Sequence, residues 1–168
     1  MTHTKHIISF FLGSLLLVSC GIYSFTGASI APDIESVSVQ YFPNKAATIQ
    51  PTLSQVFTER LKDYFLEQTN LNLTEDNGDL MFSGSIVKYQ IKPMAIGSNE
   101  IAGKNRLTIS VQVTFKNQLD KSKNFDQSFS RYRDYDSNYN ISDVENSLIE
   151  EITNELAEDI FNKAVVNW

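Results

Sequence analysis

Asn105-Arg-Leu-Thr-Ile-Ser-Val-Gln-Val-Thr-Phe-Lys-Asn117 alternates without a break. Leu107, Ile109, Val111, Val113 and Phe115 fall on one side. Arg106, Thr108, Ser110, Gln112, Thr114 and Lys116 fall on the other. A period of two is the signature of a strand with one buried and one open face. The open side is unusual, because wet sheet faces ordinarily carry Lys and Glu whereas this one carries hydroxyls and an amide. It reads as a surface suited to docking as well as to plain solvation.

The neighbouring stretches extend this sheet. Asp120–Asn124 is a polar turn, and Phe125–Tyr135 is a further strand rich in aromatics and arginine. Upstream, Leu80–Lys92 is a long strand that Gly84 interrupts, which suggests a bulge. Pro93–Lys104 is a loop. Ser36–Phe42 alternates with Val37, Val39 and Tyr41 inward. Between these strands, Leu53, Val56, Phe57, Leu61, Tyr64 and Phe65 recur at three and four, so Pro51–Leu71 is a helix. Thr52-Leu-Ser-Gln55 fits a capping box at its start. A second capping box, Ser142-Asp-Val-Glu145, opens a helix with a stripe of Val144, Leu148, Ile149, Ile152, Leu156, Ile160 and Phe161.

The order is β-α-β-β-β-α. Two strands flanking a helix should lie parallel by a right-handed crossover, and three strands on short links should form an antiparallel meander. Two amphipathic helices need one apolar sheet face to cover. The expected fold is an α+β two-layer sandwich, with a four-stranded mixed sheet and both helices on one face.

The N-terminus decides the compartment. Lys5 precedes an apolar run from Ile7 that closes on Leu17-Val18-Ser19-Cys20. A basic start, a short hydrophobic middle and a small residue before the cut make a secretory signal. Ile7–Val18 is shorter than the roughly 20 apolar residues that a spanning helix needs. A cysteine at the cut makes the sequence a lipobox. The expected organisation is a signal peptide over 1–19, a lipidated N-terminus and tether over 20–34 with lipid on Cys20, and one domain over 35–168. Residue 21 is Gly rather than Asp, which favours the outer over the inner membrane.

The same reading narrows the chemistry. His3 and His6 lie within the signal, and Cys20 is the single cysteine. The mature chain therefore lacks the side chains for Ser-His or Cys-His catalysis and the commonest zinc ligand. We expect no enzyme, no catalytic residues and no cofactor. The net charge of −6 is uneven. Lys88–Arg133 holds nine basic and three acidic residues, whereas Asp134–Trp168 holds one basic and nine acidic ones. A basic middle could meet an anionic partner or balance acidic helices internally. Nucleic acid is not expected for an exported acidic chain.

Four cations stand out as candidate contacts for an anionic ligand or partner: Lys104, Arg106, Arg131 and Arg133. If their strands pair as a hairpin, the three arginines could cluster, and guanidinium forks suit phosphate or carboxylate. The alternative is pairing with Asp134, Asp136 or the acidic helices. Asp134-Tyr-Asp136-Ser-Asn138 with Glu145 at position 12 resembles a calcium loop. Tyr139 stands where that loop needs Gly, and a strand precedes it, so no metal site is expected. Trp168 is expected to pack on the core.

Several short stretches, in order, resemble one family: Cys20-Gly-Ile-Tyr-Ser-Phe-Thr-Gly27, Tyr41-Phe-Pro-Asn44, Gln50-Pro-Thr-Leu-Ser54, Gly78-Asp79-Leu80, Asn105-Arg-Leu-Thr-Ile109, Phe129-Ser-Arg131 and Asp159-Ile-Phe-Asn162 to Asn167-Trp168. The series resembles the lipopolysaccharide-assembly lipoproteins (the LptE family) in their Bacteroidetes-type branch. The resemblance implies a two-layer α+β sandwich, a seat at the inner leaflet of the outer membrane, and no enzymatic activity. It further implies that the protein plugs and helps assemble a large β-barrel lipopolysaccharide translocon and assists insertion into the outer leaflet, possible lipopolysaccharide contact included. No family lipopolysaccharide-binding residue maps by motif onto this chain. The competing reading is a solitary lipoprotein that holds a glycan or lipid, with Tyr132, Tyr135 and Tyr139 stacking on sugar rings.

Overall fold

The computed structural model describes residues 30–94 and 103–166. Its elements run β1 (Ser36–Val39), α1 (Leu53–Gln68), β2 (Asn72–Thr74), β3 (Leu80–Met94), β4 (Lys104–Asn117), β5 (Phe125–Asp136) and α2 (Ile141–Val165). The sheet order is β2-β1-β3-β4-β5, so the sheet has five strands rather than four. The extra strand is the three-residue β2, too short to show a period. β1 pairs parallel with β2 and β3, while β3-β4-β5 form an antiparallel meander. The parallel pairing across the first helix and the meander are as expected, and the fold is the α+β sandwich.

One face of the sheet is apolar because its strands were patterned that way. Leu107, Ile109, Val111, Val113 and Phe115 are fully or almost fully buried. Phe82, Phe115 and Phe125 line up across β3, β4 and β5 with ring centroids 4.8 and 5.1 Å apart. Phe65 of α1 caps the row at 4.8 Å from Phe82, and Phe161 of α2 meets Phe65 at 5.1 Å. Edge and tilted ring pairs of this kind add about 0.5–1.5 kcal/mol each beyond their area. Both helices thus lie on this face, and they also join at their surface, where Arg60 Nε donates to Asn154 Oδ1 at 2.8 Å.

Several local expectations are corrected. β1 ends at Val39, so Tyr41 is 61% exposed and Phe42 is buried in its place. Past Val39 the chain still follows β3, with Gln40 N–H donating to Phe82 O and Lys45 N–H to Ile86 O. Neither capping box forms. Gln50 Oε1 accepts from the Thr52 and Leu53 amides at 2.8 and 2.7 Å and so caps α1 from two residues before Thr52. α2 starts at Ile141, one residue before Ser142, and Glu145 instead accepts from the Tyr89 hydroxyl. Val56 lies at the margin of its stripe, 36% exposed.

Gly84 is not the bulge. A Cβ there would stand 1.9 Å from Gln112 O and 2.7 Å from the Phe42 ring, so glycine permits the close approach of β4 and the ring. The register break lies between Ile86 and Lys88, at Val87.

A second knot ties the start of β1 to the start of β3. Asp79 Oδ2 accepts from the Glu35 and Ser36 amides, both at 3.0 Å, and from Ser36 Oγ at 2.8 Å. Ser36 Oγ accepts in return from the Asp79 amide at 3.0 Å. These donors hold the Asp79 carboxyl below the usual aspartate range. Gly78 is needed beside it, since a Cβ would lie 2.6 Å from Ser38 N.

Candidate functional site

The other face of β3-β4-β5 is polar and carries neither helix. Its composition follows from register. Ser83, Thr114 and Asp126 form one cross-strand row, and Ser85, Gln112 and Ser128 the next. Lys88-Ser110-Ser130, Gln90-Thr108-Tyr132 and Lys92-Arg106-Asp134 follow, and Met94-Lys104-Asp136 closes the face.

The Val87 bulge builds half of this surface. Before it, the inward residues of β3 are even-numbered: Leu80, Phe82 and Ile86. After it they are odd, beginning with Tyr89, which is 6% exposed. A bulge inserts one residue and so reverses the face of everything beyond it. Lys88, Gln90 and Lys92 reach the open face for this reason alone. The signal was legible as a switch of apolar parity within Leu80–Lys92, from Leu80, Phe82 and Ile86 to Tyr89.

The polar groups are largely satisfied within the face. Ser110 and Ser130 hydroxyls meet at 2.8 Å. Asp126 accepts from Gln112 Nε2 and, at 2.9 Å, from Thr114 Oγ1. Arg106 donates through Nε and Nη2 to both oxygens of Asp134 at 2.7 and 2.8 Å. The same guanidinium lies 3.7 Å above the Tyr132 ring. The fork holds the Asp134 carboxyl below its ordinary range and raises Arg106 above its own. In Asp136, Oδ1 is taken by the Asn138 amide at 2.8 Å.

The three arginines do not cluster. Arg131 and Arg133 stand opposite Ile109 and Leu107, hence on the helical side, whereas Arg106 is on the open side. Strands alternate faces, so an even and an odd position on paired strands in this register cannot share one. Arg131 makes a bidentate pair with Asp159 of α2 at 2.6 and 2.5 Å. Arg133 bridges Glu151 at 2.7 Å and Glu155. Those donors lower the Glu155 carboxyl. Lys104 sits on the open face opposite Asp136 and makes no ion pair among the described residues. Cys20 and Trp168 lie outside the described residues.

The tyrosines also separate. Tyr132 is on the open face, Tyr135 is buried on the helical side, and Tyr139 is exposed in the loop before α2. Three would-be calcium ligands have other partners: Asp134 the Arg106 fork, Asp136 the Asn138 amide, and Glu145 the Tyr89 hydroxyl. A cavity of about 140 Å³ lies elsewhere, among Ile30, Ile34, Leu80, Leu119, Ala164 and Val165 at the other end of the sheet.

The sequence profile of the lipopolysaccharide-assembly family, LptE, matches residues 34–164, which takes in every strand, α1 and all but the last residue of α2. The chain belongs to the LptE family. Solved structures agree on the fold. A minor lipoprotein from Acinetobacter baumannii superposes with TM-score 0.51 at 14% identity, covering 77% of this chain and 91% of its own. A protein from Xanthomonas campestris gives 0.53 at 9% identity, covering 83% and 90%. A hypothetical protein from Chlamydia trachomatis gives 0.50 at 8%, covering 79% and 99%. No curated protein sequence matches the chain. As an LptE-family member, the protein has a role in lipopolysaccharide assembly. Among the described residues no helix is long and apolar enough to cross a membrane.

Proposed function

We propose that this LptE-family chain is an outer-membrane lipoprotein, anchored by lipid on Cys20 after removal of residues 1–19, and that it plugs and helps assemble the β-barrel translocon that inserts lipopolysaccharide into the outer leaflet. It acts by binding and not by catalysis. The observation that carries this reading is the family match over nearly the whole domain. The open face of β3-β4-β5 supports it, because a barrel lumen is polar and this face presents hydroxyls, amides and cations on a rigid sheet.

The domain's organisation suits a tethered plug. The described chain starts at Ile30, ten residues after Cys20, so an extended tether reaches at most about 36 Å. Asp79 fixes the point where that tether becomes β1.

The test is purification of the tagged, full-length protein from its own membranes in mild detergent, with every co-purifying protein identified. A large β-barrel protein in stoichiometric amount is the expected result. Recovery of the protein alone, in good yield and in several detergents, would leave the solitary ligand-binding reading.

A further inference from the structure

The distribution of satisfied and unsatisfied charges on the domain distinguishes its two faces. Every arginine among the described residues has a carboxylate partner: Arg60 with Glu67, Arg106 with Asp134, Arg131 with Asp159, and Arg133 with Glu151 and Glu155. The three carboxylates of the open face are engaged within the domain, Asp126 by Gln112 and Thr114, Asp134 by Arg106, and Asp136 by the Asn138 amide. Lys88, Lys92, Lys104 and Lys116 are on the same face and make no ion pair among the described residues. The face therefore carries surplus positive charge on a chain whose net charge is −6. The helical layer has the opposite sign, since α2 holds seven carboxylates and one lysine.

Between the lysines lies a floor of Ser83, Ser85, Thr108, Ser110, Gln112 and Ser130. Apart from Gln112, which Asp126 holds, these are short side chains on a rigid ladder, so little rotamer freedom is lost when a partner closes over them. Hydroxyls that already donate to a neighbour keep acceptor lone pairs. Such a surface admits close contact without stranding polar groups.

We propose that the open face of β3-β4-β5, and not the helical layer, is the surface that docks on the protein partner, and that the partner's contacting wall presents carboxylates to Lys88, Lys92, Lys104 and Lys116. This rests on the barrel-partner reading above and adds to it the face, the polarity and the chemistry of recognition. The acidic helical layer then points away from that wall, because like charges across an interface oppose docking.

The experiment is site-specific photo-crosslinking of the full-length protein in its membranes. Photo-reactive residues replace Gln112 and Ser128 on the sheet face, or Glu150 and Asn154 on α2. We expect crosslinks to one large membrane protein from 112 and 128, and none to it from 150 and 154. Crosslinks from 150 and 154 alone would overturn the face while preserving the barrel reading. Crosslinks from 112 and 128 to lipopolysaccharide rather than protein would overturn the occupant. If a barrel protein also fails to co-purify, the functional reading itself falls. In a second arm, Lys92→Glu with Lys104→Glu should lower the recovered partner at least tenfold, while Glu150→Lys with Glu158→Lys leaves it unchanged. Equal recovery from both variants, each showing native thermal unfolding, would overturn recognition by charge.

Discussion

Arg106 and Asp134 face each other across the β4-β5 ladder and close a two-pronged ion pair at 2.7 and 2.8 Å, with Tyr132 beneath the guanidinium. The pair is at the surface, so its worth to stability is modest. What it fixes is position. It holds Arg106 flat on the sheet and takes that charge out of the set that a partner meets. Arg106→Lys keeps the charge and loses the fork. Its melting temperature should fall by no more than a few degrees, which differential scanning calorimetry would register. A fall above 10 °C would show that the pair has a larger structural role.

Asp79 is expected to matter more. Its carboxylate accepts three hydrogen bonds at the junction of tether and sheet. Asp79→Ala leaves those donors without an acceptor and should cost about 2 kcal/mol in urea unfolding. Gly78→Ala should cost a similar amount, about 1–3 kcal/mol, because its Cβ meets the backbone of Ser38. Wild-type midpoints for both variants would contradict this account of the junction.

Acid should weaken the domain in a defined direction. Asp79, Asp134 and Glu155 all have carboxyls held below their ordinary values of 3.8, 3.8 and 4.5. A carboxyl lowered on folding adds stability above its unfolded value and loses it as pH falls through the folded one. Stability should therefore be level above about pH 5 and decline below about pH 4. Replacing Arg133 by Gln removes the main partner of Glu155, leaving Arg131 at 3.9 Å, and should flatten part of that decline. Urea midpoints across pH 2.5–7 would measure it.

The Val87 bulge offers a direct test of face assignment. Deleting Val87 removes the extra residue, so Ile86 and Lys88 become neighbours opposite Val111 and Ser110, with Lys88 and Lys92 still outward and Tyr89 still inward. Hydrogen exchange should then show protection kept along the whole strand from Leu80 to Met94. Loss of protection from Lys88 to Met94 would contradict the placing of the extra residue at Val87.

Much of this was legible in the sequence because periodicity reports burial. The strand at Asn105–Asn117 and both helices could be located from spacing alone. Two kinds of feature were not. β2 has three residues, fewer than a period needs, and exists because β1 offers it an edge. The capping boxes had suitable residues, but Gln50, two residues before Thr52, took the first amides of α1, and Tyr89, distant in sequence, engaged Glu145. At the site, the arginines drew attention because charge and spacing are visible in one dimension. Their neutralisation by α2 is a tertiary fact. Two of the lysines without an ion pair, Lys88 and Lys92, were placed by a bulge whose only trace was a change of parity between Ile86 and Tyr89.

The measurement that most directly tests the central claim is the delivery of newly made lipopolysaccharide to the cell surface when this protein is depleted. Pulse-labelled lipopolysaccharide would be assayed for access to a surface probe that does not cross the outer membrane. The account predicts that surface delivery falls as the protein disappears, and that the wild-type chain restores it while the Lys92→Glu, Lys104→Glu double variant does not. Undiminished delivery in fully depleted cells would contradict it.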